Sequence, residues 1–130
     1  MLILSLKTDQ SEAELWLHNN DHELSHLQWP AYLKLAETIN SKIEELLKSA
    51  NKSLEDLRGI VCFKGPGSFT GLRIGMSVAN ALAYAQDISI IAITGQDWQK
   101  TGIKKLLDGQ TDKIVLPEYS HPAITTQPKK

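Results

Sequence analysis

The stretch FKGPGSFTGLRIG, residues 63–75, decides the fold because it places a glycine-rich turn between an apolar run and a helix-forming segment. The run GIVCF, residues 59–63, is almost continuously apolar, as is typical of a strand that is covered on both faces. A helix is predicted behind the turn, over residues 71–86. A buried strand followed by a tight turn and a helix indicates a parallel crossover in an α/β fold.

Two interpretations of the turn stay open. Its residues are Gly65, Pro66, Gly67, Ser68, Thr70 and Gly71. Backbone N–H groups at a helix N-terminus are suited to an anion, although the spacing matches neither the Walker phosphate loop nor the dinucleotide fingerprint. Alternatively, Gly65-Pro66-Gly67 is a plain turn and Ser68 or Thr70 caps the helix.

Working outward from the loop, the pattern predicts an α/β fold with a mixed five-stranded sheet flanked by helices. The predicted strands are residues 2–6, 11–18, 22–28, 59–63 and 88–93; the predicted helices are 31–48, 71–86 and 96–108, with a capped turn at 53–56. The first three strands form an antiparallel meander, and the later ones join through parallel crossovers.

Size and composition limit the class of protein. The 130 residues, of which 42% are hydrophobic, suit one globular domain, and a net charge of −1 argues against a stand-alone nucleic-acid binder. The single cysteine, Cys62, lies in an apolar run, and the first residues lack the basic lead-in of an export signal. We therefore expect a cytoplasmic protein.

The domain organisation follows from the prolines near the end of the sequence. Residues 111–130 contain Pro117, Pro122 and Pro128 and end in Lys129-Lys130, so we expect an extended tail there and a lobe over residues 1–110.

The predicted helix over residues 71–86 has two apolar faces. One consists of Ile74, Val78, Ala81, Leu82 and Ala85, and the other, flatter one of Leu72, Gly75, Met76, Ala79 and Ala83. A helix on a sheet needs only one apolar face, so we expect the first to cover the sheet and the flat one to bind a partner helix. Phe69 and Arg73 are further candidates to touch that partner.

The sequence indicates no catalytic residue and no metal site. His18, His22 and His26 fall four apart but lie in the predicted hairpin, without further ligands beside them. Asp9, Glu12 and Glu14 are interpreted as a solvated face, and Ser68 has no base beside it in sequence.

One family resemblance follows from these residues. KGPGSFTGLRIG, residues 64–75, resembles the signature of the bacterial TsaB (YeaZ) proteins, and so do the opening MLILSLKT and the tail LPEYSHPAITTQPKK. The resemblance implies an actin-like ATPase or ribonuclease-H-like lobe.

The resemblance also implies a role in making the tRNA base N6-threonylcarbamoyladenosine. The chain would be a non-catalytic subunit that forms a heterodimer with a TsaD-like catalytic subunit through its first two helices. A TsaE-like ATPase is a further expected partner, a homodimer is expected when the chain is alone, and tRNA would be touched only indirectly. No cofactor is expected.

Three departures from the family pattern qualify this. Lys7 stands where the family has an acid, which argues against independent ATP hydrolysis, and Trp29-Pro30-Ala31-Tyr32 replaces an Arg and a His at the start of the first helix. The second lobe is largely missing, and we expect a naturally reduced protein, with an engineered truncation as the alternative. The alternative function is a minimal ATPase that uses the glycine loop for phosphate.

Overall fold

A computed structural model describes residues 1–67 and 69–116 of the chain. Within them, five strands form one sheet, flanked by three helices. The strands are β1 Leu2–Lys7, β2 Glu12–Asn19, β3 His22–Pro30, β4 Leu57–Phe63 and β5 Ser89–Ile93; the helices are α1 Leu35–Ser49, α2 Phe69–Gln86 and α3 Trp98–Leu107. A short 3-10 turn, Leu54–Asp56, precedes β4. The predicted α/β fold is confirmed.

The sheet has the strand order β3-β2-β1-β4-β5. The pairs β1–β2 and β2–β3 are antiparallel, whereas β1–β4 and β4–β5 are parallel. A parallel pair needs a crossover connection: the chain returns from β3 through α1 to place β4 beside β1, and α2 links β4 to β5. The mixed sheet therefore has the arrangement that the sequence predicts.

Each face of the sheet buries its own apolar cluster. On the inner face, Leu4 of β1 and Ile60 of β4 are fully buried beneath α1 and α2, together with Leu15 of β2. On the outer face, Ile3 and Val61 belong to the cluster that α3 covers. Full burial of such a side chain contributes roughly 1.5–3 kcal/mol, so both layers hold the sheet in place.

The first helix begins later than predicted. Pro30 still belongs to β3, and the Ala31 N–H donates to the Ser11 carbonyl at 2.9 Å, so the chain turns before α1 starts at Leu35. Leu33 lies in this turn with a φ of 63°. Tyr32, which falls within the predicted helix over residues 31–48, lies in this turn instead and is 71% exposed.

The other end of the described chain returns to the lobe. Val115 is only 2% exposed and belongs to the inner-face cluster. The predictions for Ser68, for residues 117–130 with their prolines and terminal lysines, and for the side chain of Phe69 lie outside what the structure describes. Among the described residues, none of the helices combines the length and apolar character needed to span a bilayer.

Candidate functional site

The glycine loop joins β4 to α2 and packs against the turn that follows β1. The Thr94 hydroxyl donates to the Gly65 carbonyl, which ties the loop to the end of β5. A Cβ atom on Gly67 would lie 2.5 Å from the Cβ of Asp9, so glycine is needed for this close approach. Thr70 is exposed and is the second residue of α2, so it does not cap the helix. The described loop residues thus form a packed turn that positions α2.

An ion pair lies beside this loop. The Lys7 Nζ is 2.7 Å from the Asp9 Oδ1, and the Asp9 side chain is 6% exposed. The same Nζ lies 4.8 Å from the ring centroid of Phe63, a distance suited to a cation–π contact. The Asp9 carboxylate therefore faces an ammonium group, which disfavours a role for this carboxylate as a metal ligand.

The histidines and acids of the hairpin do not assemble into a reactive centre. The His26 Nε2 lies 3.0 Å from the Glu14 Oε2, and its ring stacks on Trp16 at 4.9 Å. Glu12 accepts a hydrogen bond of 2.7 Å from the Gln28 amide. In the part of the chain that the structure describes, no group of three His, Cys, Asp or Glu side chains is placed to hold a metal ion.

Two buried titratable groups lie within the sheet. His18 is buried on β2, and burial lowers the pKa of its imidazole because a charged ring is poorly solvated there. Its Nδ1 has no hydrogen-bond partner among the described residues. Cys62 is buried as expected, and desolvation raises the pKa of its thiol, which is therefore protonated and unreactive at neutral pH.

The structure reverses the predicted roles of the two faces of α2. The flat face that was expected to bind a partner lies against the sheet: Leu72 and Ala79 are fully buried, Met76 and Ala83 are each 4% exposed, and Gly75 is buried. The face expected to cover the sheet is the more open one: Ile74, Val78 and Leu82 are half-buried, and Ala81 and Ala85 are exposed. The assignment of the flat face to a partner was therefore wrong.

The physical reason lies at the end of β1. A Cβ on Gly75 would overlap the side chain of Thr8, so this turn of α2 must rest directly on the strand. Small side chains permit close approach to any neighbouring backbone, to a sheet as well as to a helix. The small residues of α2 therefore meet the sheet and not a partner helix. Arg73, by contrast, is exposed, as a partner contact requires.

An open groove of about 540 Å³ lies between α1 and α2. Its α2 side is formed by Val78, Ala81, Leu82 and Ala85, its α1 side by Asn40, Ser41, Ile43 and Glu44, with Leu54 and Gln86 completing it. We call this the α1–α2 groove. An apolar floor with a polar rim is the composition of a protein–protein interface. This groove is the candidate functional site.

Exposed apolar residues extend the same surface beyond the start of α1. Tyr32 and Leu33 are 71% and 82% exposed. They line a second depression of about 480 Å³, together with Thr70 and Ile74 of α2. Sequence reasoning missed them because a positive φ at a leucine has no local signal, and the run YLKL continues the helical pattern.

Comparisons with known proteins place this geometry in context. The family model described as "TsaD: tRNA N6-adenosine threonylcarbamoyltransferase" matches residues 31–99. The chain is 33% identical to the "tRNA threonylcarbamoyladenosine biosynthesis protein TsaB" of Bacillus subtilis over 96 residues, which are 72% of this chain and 41% of that protein. The protein of the same name from Escherichia coli is 26% identical over 128 residues, 92% of this chain and 55% of that protein.

Two further similarities concern a catalytic relative and a solved structure. The tRNA N6-adenosine threonylcarbamoyltransferase of Geotalea uraniireducens is 43% identical over 60 residues, 46% of this chain and 18% of that protein. "YeaZ from Pseudomonas aeruginosa" has a TM-score of 0.66 at 26% identity, over 72% of this chain and 43% of that one. The likeness to YeaZ confirms the predicted actin-like, ribonuclease-H-like fold, and the chain spans about half the length of the TsaB and YeaZ relatives it matches.

Proposed function

We propose a function from the premise that the chain belongs to the family described as tRNA N6-adenosine threonylcarbamoyltransferase (TsaD) and, within it, to the TsaB (YeaZ) proteins. The protein is a non-catalytic partner subunit in the formation of N6-threonylcarbamoyladenosine in tRNA. It binds a TsaD-like catalytic subunit and works in the cytoplasm. The surface that binds the catalytic subunit also supports a homodimer when that subunit is absent. A TsaE-like ATPase is a further partner of the assembly.

The α1–α2 groove carries this proposal. Its floor contains the half-buried Val78 and Leu82 and the exposed Ala81, and the described remainder of the chain leaves it open. A partner that lays an apolar ridge into this groove would remove those side chains from water, the main favourable term in association. The exposed Glu44 on the α1 rim favours a polar or basic residue opposite.

The alternative function, a minimal ATPase, has less support. It needs the glycine loop to hold phosphate and an acid nearby to hold a metal ion. Asp9, the acid that packs against Gly67 of the loop, is already paired with the Lys7 ammonium at 2.7 Å, which makes it a poor metal ligand. Tight binding of ATP with magnesium in a calorimetric titration would favour the ATPase over the partner subunit.

Ala81→Arg tests the groove, because Ala81 is exposed and the substitution does not disturb the core. Tyr84→Arg is its control: Tyr84 lies on the same helix, is 90% exposed and does not line the groove. We expect Ala81→Arg to weaken binding to the TsaD of the same genome by about tenfold or more, roughly 1.4 kcal/mol. Tyr84→Arg should bind like the parent chain.

The measurement is co-expression followed by size-exclusion chromatography, with calorimetry on the purified subunits. Circular dichroism shows that both variants are folded. If both variants bind as the parent does, the groove is not the interface. If the parent chain itself fails to bind, the proposed function is wrong.

A further inference from the structure

Within residues 1–67 and 69–116, the edge of the sheet at β5 pairs with no further strand; a short irregular segment, residues 111–115, covers it instead. Because β5 is the last strand in the order β3-β2-β1-β4-β5, the main-chain groups of Ile90 and Ala92 point away from β4. Unpaired groups along a sheet edge are a template for pairing with another chain. Residues 111–115 lie along this edge.

Side chains in this segment take the place of a further strand. The Ile90 N–H donates to the Thr111 Oγ1 at 3.1 Å, and the Ala92 N–H donates to the Asp112 Oδ2 at 2.8 Å. The Asp112 N–H in turn donates to the Ile90 carbonyl at 2.7 Å. Three main-chain groups of the edge are thus satisfied without a regular ladder.

A single side chain of α2 fastens the segment at its far end. The Asn80 Nδ2 donates to the Val115 carbonyl at 3.0 Å, and the Val115 N–H donates to the Asn80 Oδ1 at 2.9 Å. Val115 is buried, whereas its neighbours Ile114 and Leu116 are 69% and 71% exposed. Val115 therefore anchors the segment in the core, while the residues on either side of it face solvent.

The two edges of the sheet differ in how they resist pairing. β3, at the opposite edge, carries Glu23 and ends at Pro30, and charge and proline both discourage edge pairing. β5 reads SIIAI and carries no charge. The edge without its own protection is the one that the segment covers.

We propose that residues 111–115 form a strap that closes the β5 edge, and that Asn80 is the residue that fastens it. The strap is independent of the α1–α2 groove and of the proposed function. It holds Val115 in the inner-face core and supplies hydrogen-bond partners to the amides of Ile90 and Ala92, which are then not free to pair with another chain.

Hydrogen exchange on the folded full chain tests the strap. In Asn80→Ala we expect the amides of Ile90 and Ala92 to exchange about tenfold faster or more, because two hydrogen bonds of the strap are lost. In Asp112→Ala the increase should be confined to Ala92. Ser77→Ala is the matched control, since Ser77 is exposed on the same helix and has no described bond to the strap.

Two results would overturn the proposal. One is unchanged exchange at Ile90 and Ala92 in folded Asn80→Ala. The other is an equal acceleration at every slowly exchanging amide, because that would mark a general loss of stability and not the release of a local strap.

Discussion

The two apolar faces of α2 meet different neighbours. One face rests on the sheet: Ala79 is fully buried, and a side-chain atom added at Gly75 would overlap Thr8. The other, with Val78 and Leu82, is half-buried along the α1–α2 groove. The difference shows that Gly75 marks the closest contact of this helix with its neighbours, whereas the half-buried Val78 and Leu82 lie on its more open side, in the α1–α2 groove.

The largest expected effect comes from placing the same charge on each face in turn. Ala79→Arg buries a guanidinium against the sheet, and we expect the free energy of unfolding to fall by roughly 4 kcal/mol or more. Ala81→Arg, on the open face, should change it by less than about 0.5 kcal/mol. Urea denaturation followed by circular dichroism measures both, and equal midpoints would refute the distinction between the faces.

A smaller effect is expected from a single methyl group on the tight face. Gly75→Ala gains helix propensity of about 1 kcal/mol, but its Cβ overlaps the Thr8 side chain, so we expect a net loss of about 2 kcal/mol in stability. The double variant Gly75→Ala with Thr8→Ala should recover much of that loss, because the overlapping atoms are gone. Simple additivity of the two substitutions in denaturation experiments would show that the overlap is not the cause.

The smallest effect on stability is expected from His18, which lies on the outer face of the sheet, opposite the face on which α2 packs. Burial lowers the folded-state pKa of His18 below its ordinary value of 6.5. Between these two pKa values the unfolded chain therefore binds more protons than the folded one. Stability contributed by the neutral ring is full above pH 6.5 and is lost as the pH falls from there through the lowered folded-state pKa. Denaturation midpoints measured between pH 7 and pH 5 should therefore decrease.

His18→Asn should flatten this pH dependence, because it removes the buried imidazole whose pKa is lowered. An identical slope in His18→Asn and in the parent would assign the pH dependence to other groups.

Much of the fold was predictable because its signals are local. The alternation in β2, the continuous apolar run of β4 and the glycine turn after it each follow from neighbouring residues. The start of α1 was not, because the turn at Leu33 depends on a bond from Ala31 to Ser11, twenty positions away in the chain. The exposure of Tyr32 follows from the same long-range contact and was missed with it.

The sequence predicted that α2 has a spare apolar face, but not which of its two faces is the spare one. The sequence showed that α2 has one apolar face more than a sheet can cover, and this is the observation from which a partner surface was inferred. Which face is spare depends on the distance between α2 and β1, and that distance is set by Thr8 against Gly75. Periodicity records the faces of a helix but carries no information about which neighbour each one meets.

The amino-acid sequence by itself determined the order of strands and helices, the glycine turn before α2 and the resemblance to TsaB proteins, because these depend on residues close together in the chain. Only the tertiary structure decided which face of α2 is buried, how Lys7 meets Asp9, and how residues 111–115 close the edge of β5. These arrangements bring together groups from distant segments, so their energies exist only once the sheet has formed and the helices have packed on it.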